Sequence, residues 1–92
     1  MKNITYQDES LVLDLSHNYA NGQPAIVLIA SDGQPYGKAT TCTGEALLNG
    51  ETIIDTNNME GILEVLIEEG IVSQPTGLSL SGWCSYPIVK LL

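Results

Sequence analysis

The sequence predicts an α+β domain, an antiparallel β-sheet of four to six strands with one α-helix packed on a face. Three observations lead to that class. Asn21-Gly22, Asp32-Gly33 and Asn49-Gly50 punctuate the first half of the chain, and such pairs accept the positive φ that a tight turn between twisted strands requires. The segments between them alternate or run apolar in the manner of strands. One later stretch changes to helical spacing. With 92 residues there is room for a single domain, residues 1–92, and one modest core.

In chain order, residues 3–7 are expected to pair with residues 11–15. Residues 10–16 alternate, with Leu11, Leu13 and Leu15 on one face and Val12 and Asp14 on the other. Residues 25–30 are continuously apolar and read as a central strand. Residues 36–43, rich in threonine, and residues 51–55, with Ile53 and Ile54, supply further strands. Gly22-Gln23-Pro24 is echoed by Gly33-Gln34-Pro35, which describes two turns of one design. For the helix, Asn57 is the expected N-cap with Glu60 as its capping-box partner, and Gly70 is the left-handed terminator. Met59, Ile62, Leu63, Leu66 and Ile67 form its buried stripe. After Gln74-Pro75-Thr76-Gly77 a serine- and glycine-rich loop carries Trp83, which suits either a partner anchor or a core plug, with the core expected. Residues 86–92 then form a last strand, with Pro87 near its start where proline is tolerated.

Eleven carboxylates stand against three lysines with no arginine, a net charge of −8. Because 43% of the residues are hydrophobic, the acid belongs to a folded domain with a negative surface, not to a disordered tail. Such a surface repels nucleic acid and anionic lipid and is drawn to basic clefts built to hold phosphates. No signal-peptide pattern opens the chain and no apolar run reaches membrane-spanning length, so a cytoplasmic location is expected.

Glu60, Glu64 and Glu68 recur every four residues, with Glu69 beside them and no basic residue in the segment. Like charges at that spacing repel, at a few tenths of a kcal/mol per pair. Four helical residues rise about 6 Å, comparable in scale with neighbouring backbone phosphates, so this ladder is the candidate partner-binding site. Solubility is the plainer explanation of the same residues. Asp55, just before Thr56-Asn57, is expected to hold the turn into the helix.

Cys42 and Cys84 are the two cysteines, and buried free thiols are the ordinary reading of them. With His17 and a carboxylate they could instead complete a tetrahedral zinc site, although no CxxC or HxxxH spacing supports it. An enzyme is not expected. The single histidine has no neighbouring partner, residues 77–82 miss the nucleophile-elbow pattern, and no glycine-rich phosphate loop with lysine is present.

Tyr19-Ala20-Asn21-Gly22, Asp32-Gly33-Gln34-Pro35-Tyr36, Asp55-Thr56-Asn57-Asn58, Gly70-Ile71, Thr76-Gly77 and Ser81-Gly82-Trp83-Cys84-Ser85-Tyr86-Pro87 together resemble an uncharacterised family of small proteins carried by phages and mobile elements of Gram-positive bacteria. The likeness spans most of the chain. That family has no established catalytic residues, so the resemblance implies a context and no site. Its implication is counter-defence, since small acidic phage proteins of this kind include inhibitors of CRISPR effector nucleases. The expected partner is then a basic host protein such as a Cas effector nuclease, with Glu60, Glu64, Glu68 and Glu69 blocking DNA or guide RNA loading. The alternative is a structural or regulatory phage protein that forms an oligomer through its sheet edge.

Overall fold

A computed structural model describes residues 2–92. Its strands are β1 (Lys2–Tyr6), β2 (Glu9–Asn18), β3 (Pro24–Ala30), β4 (Pro35–Lys38), β5 (Thr40–Thr41), β6 (Glu51–Ile54), β7 (Gly77–Ser81) and β8 (Cys84–Lys90). The helix α1 (Ile62–Glu68) lies between β6 and β7. The chain is thus mostly antiparallel β-structure with one short helix. The expected single sheet is replaced by two sheets of four strands, ordered β1-β2-β3-β4 and β5-β6-β8-β7.

The division originates at Ala39. Residues 36–43 do not form one strand, because the fully buried Ala39 donates its N–H to Ile26 O at 2.9 Å and accepts from Asp55 N at 2.8 Å. One residue therefore ties β3 to the end of β6, and the chain passes from the first sheet into the second. A polar seam completes the junction. Thr52 donates to Pro24 O at 2.6 Å, Thr40 Oγ1 accepts from Ile26 N at 3.2 Å, and Gln23 Nε2 donates to Thr41 O at 2.8 Å and Thr52 Oγ1 at 3.0 Å. These side chains are buried but bonded, which is the condition for burying them at acceptable cost. Gln23 Oε1 is the exception, buried with no partner among the described residues.

Leu11, Leu13, Ile26, Leu28, Ile54, Ile62, Leu66 and Val89 fill one continuous core between the sheets and the helix. The alternation of β2 places Leu11 and Leu13 there as expected. Leu15 escapes, 40% exposed, because a register shift falls between Asp14 and His17. Pro87 is accommodated just beyond Ile88, the last β8 residue paired with β6, where no ladder bond to β6 is required.

The two echoed turns share one geometry. Gly22 N donates to Tyr19 O and Gly33 N to Ala30 O, each at 2.9 Å, while Asn21 and Asp32 accept from Gln23 N and Gln34 N at 3.0 Å. Only the glycines take positive φ, at 87° and 89°, so these are three-residue loops and not two-residue ones. A two-residue loop joins β1 to β2 instead, at Gln7 (φ 50°) and Asp8 (φ 64°), without any glycine.

The helix is shorter than its apolar periodicity predicts. Its N-cap is Gly61 in a left-handed conformation, and Asn57 and Glu60 form no capping box. Asp55 wins the competition for the local backbone: its carboxylate accepts from Asn58 N at 3.3 Å and Asn58 Nδ2 at 2.9 Å, and its carbonyl from Met59 N at 3.0 Å. Met59 is still buried, from a turn. The C-terminus follows expectation, with Gly70 N bonded to Ile67 O and Ile71 N to Leu66 O, and Gly70 at φ 72°.

Candidate functional site

The carboxylate strip is built on β1 and α1. Lys2 Nζ lies 3.8 Å from Glu69 Oε1, and at the other end of β1 the Tyr6 hydroxyl donates to Glu60 O at 2.8 Å. The helix therefore runs antiparallel along the β1 edge. Tyr6 also pairs with Glu9 across the hairpin. Asp8 and Glu9 thus lie at the end of β1 whose Tyr6 reaches Glu60 O, a placement that no local pattern encodes.

Tyr6 is the hinge of this arrangement. It is buried, meets Tyr36 edge-on at 6.4 Å between ring centroids, and burial pushes its hydroxyl above the ordinary tyrosine value, with smaller contributions from Tyr36 and Glu60.

Glu60, Glu64, Glu68 and Glu69 are all exposed. They do not form the expected regular ladder. Glu60 precedes Gly61 and lies outside the helix, Glu69 is its C-cap and faces Lys2, and only Glu64 and Glu68 stand one helical turn apart. The acids as a whole separate into those bonded within the fold and those left free. Asp14 accepts from Ser16, whose hydroxyl and N–H hold its carboxyl below the usual carboxylate range, and lies 3.1 Å from His17 Nε2. Asp32 and Asp55 hold turns, Glu45 accepts from Ser79 at 3.3 Å, and Glu51 accepts from Leu48 N at 2.9 Å and Thr76 at 3.0 Å. Asp8, Glu9, Glu60, Glu64 and Glu68 have no side-chain hydrogen bond or ion pair among the described residues. These unpartnered carboxylates flank β1 and α1.

The candidate zinc ligands are not assembled. His17 is in β2 and bound to Asp14, Cys42 is exposed after β5 and 3.6 Å from Asn21 Nδ2, and Cys84 opens β8. Among the described residues no group of three or more His, Cys, Asp or Glu side chains is placed to hold a metal. The donor set does not fit zinc. Hydrogen-bonding by Ser16, Asp14 and Asn21 holds His17 and Cys42 in separate local networks.

Trp83 is not in the core. It stands fully exposed at the tip of a β7–β8 hairpin whose two-residue loop is Gly82-Trp83, with Gly82 at φ 60°. Glycine at the first loop position is a hairpin signal in its own right, and with Leu78 and Leu80 alternating before it this strand was available to a reading of residues 77–84. A cleft of about 480 Å³ between residues 21–24 and 44–51 is lined by Glu45 and Glu51, whose carboxylates are already bonded as described. It offers no free charged group.

Comparison of the chain with protein-family models, curated proteins and solved structures finds no match to any of them.

Proposed function

We propose that this chain is a small acidic binding protein that occupies a basic, nucleic-acid-binding site of a host defence protein, most concretely a Cas nuclease, and acts without chemistry of its own. The observation that carries this reading is the separation of the carboxylates into those bonded within the fold and those left free beside β1 and α1. A rigid strip of unpaired carboxylates meets lysines and arginines without first breaking internal bonds, and it presents them with anionic groups as a polynucleotide does. Asp8 and Glu9 extend the strip beyond the glutamates of the helix. The Cas target is the part of this reading that rests on the family resemblance.

The test is binding to purified Cas effectors across a salt series, with nuclease activity measured in parallel. Binding that weakens steeply with salt is expected. The paired substitution Glu64→Lys with Glu68→Lys should restore cleavage while leaving the circular dichroism spectrum unchanged, and Asp8→Lys with Glu9→Lys should do so in part. Unaltered inhibition by both variants removes the strip as the contact.

A further inference from the structure

Three glycines of this chain, Gly22, Gly33 and Gly50, follow an asparagine or an aspartate, and they are matched in conformation. Their φ angles are 87°, 89° and 86°, and a Cβ added at any of them would meet nothing within 4 Å. Asn21, Asp32 and Asn49, which precede them, are all exposed. Neither backbone conformation nor steric access therefore separates the three sites.

Hydrogen bonding does. In the first two turns the glycine is the fourth residue and its N–H closes the turn, Gly22 on Tyr19 O and Gly33 on Ala30 O at 2.9 Å, while the preceding side chain accepts from Gln23 N or Gln34 N at 3.0 Å. Asn21 Nδ2 also lies 3.6 Å from Cys42 Sγ. The third turn is framed differently: Glu51 N closes it on Leu48 O at 3.0 Å, so Gly50 is its third residue, and Leu48 N is taken by Glu51 Oε1 at 2.9 Å. The Gly50 N–H and the Asn49 side chain are left without a hydrogen-bond partner among the described residues.

We propose that Asn49 is a self-modification site, where asparagine converts to aspartate and isoaspartate without an enzyme, while Asn21 is protected by its turn. Gly50 N attacks Asn49 Cγ. The N–Cγ bond forms, the Cγ–Nδ2 bond breaks, and ammonia leaves with the proton that the amide gave up through solvent. Water then opens the cyclic imide at one of its two carbonyls, giving aspartate or isoaspartate. The nucleophile is the deprotonated amide nitrogen, so the reaction quickens as pH rises, and glycine presents that nitrogen with no side chain in the way. Each product adds a carboxylate to the cleft that Asn49 lines with Glu45 and Glu51. Isoaspartate also lengthens the main chain just ahead of Gly50 O, which accepts from Leu91 N at 2.9 Å, and so works against the tie between this turn and the end of the chain.

The experiment is incubation of the full folded chain in warm, mildly alkaline buffer, followed by peptide mass spectrometry and labelling with a methyltransferase specific for isoaspartate. Replacement of the side-chain NH2 by OH is expected at Asn49, outpacing Asn21 by at least about tenfold, since at Asn21 two native hydrogen bonds must first be given up. A parallel sample unfolded in urea should bring the two rates together, because both asparagines then precede a glycine in the same unstructured chain. Asn49→Gln, at an exposed turn position where circular dichroism should stay unchanged, is expected to remove the isoaspartate label from the folded protein. A folded chain in which Asn49 reacts no faster than Asn21, or reacts only in urea, overturns the proposal. Rates that remain as far apart in urea as in the folded chain would place the difference in the local sequence and overturn the protective role of the turn.

Discussion

The β1–α1 edge and the β7–β8 hairpin deal with exposed backbone in opposite ways. Along β1 the edge is screened by a helix and ringed by carboxylates, so association there requires a partner that brings positive charge. β7 carries no charged side chain and exposes Leu78 and Leu80, with Trp83 in the loop beyond it. One small domain thus carries two surfaces of opposite character, one charged and one apolar. Salt and charge reversal act on the first; added charge on an apolar face acts on the second.

Leucine truncation on the two sides should separate them most widely. Leu66→Ala removes a fully buried anchor of α1 and is expected to lower stability by about 2–5 kcal/mol, whereas Leu80→Ala, measured in dilute solution, should change it by no more than about 0.5 kcal/mol. Urea unfolding of both variants checks this; equal losses would mean that the hairpin is packed in a way its exposure does not reveal.

Next in size is Tyr6→Phe. The lost hydrogen bond to Glu60 O should cost about 1 kcal/mol. It should also change the alkaline response. Burial raises the Tyr6 hydroxyl above 10.0, so the folded state favours the neutral phenol. That contribution is complete below the unfolded value near 10.0 and is lost as pH rises from there through the folded value. The stability of the parent protein should therefore decline above that pH more steeply than that of Tyr6→Phe, as thermal melts across the range would record.

Asp8→Gly should stabilise by about 0.5 kcal/mol. A non-glycine residue at φ 64° is strained by roughly 1–2 kcal/mol, partly offset by the greater freedom of glycine in the unfolded chain. The smallest effect concerns the strip itself. Glu68→Lys places a lysine one turn after Glu64 in the last turn of the helix and should add about 0.3 kcal/mol. If the strip is a binding surface, this more stable variant binds a basic partner less well. Stability and binding that rise together would argue that the carboxylates serve the fold alone.

Much of the first sheet was legible because its signals are local. Asn21-Gly22 and Asp32-Gly33 mark turns, Leu11 and Leu13 mark a buried face, and residues 25–30 are apolar enough to lie between two neighbours. The β1–β2 loop was not legible, since Gln7 and Asp8 adopt a conformation that their side chains do not advertise. The Gly82-Trp83 loop was written in the chain, yet its serines read as loop composition. The helix was half legible: Gly70 ends it as expected, while the capping pair Asn57 and Glu60 lost to the side chain of Asp55. Of the candidate site, the exposure of Glu60, Glu64, Glu68 and Glu69 followed from their charge, but their spacing on one ladder did not survive Gly61.

The amino-acid sequence by itself determined an acidic, mostly antiparallel domain with one helix, because charge, two-residue alternation and turn chemistry are properties of neighbours in the chain. Only the tertiary structure decided that there are two sheets, that the Tyr6 end of β1 meets Glu60, and that Cys42, Cys84 and His17 are not assembled into a metal-holding group among the described residues. Those outcomes depend on contacts such as Ala39 with Ile26 and Tyr6 with Glu60, between residues far apart in sequence, whose pairing is set by burial of the whole core and not by any local preference.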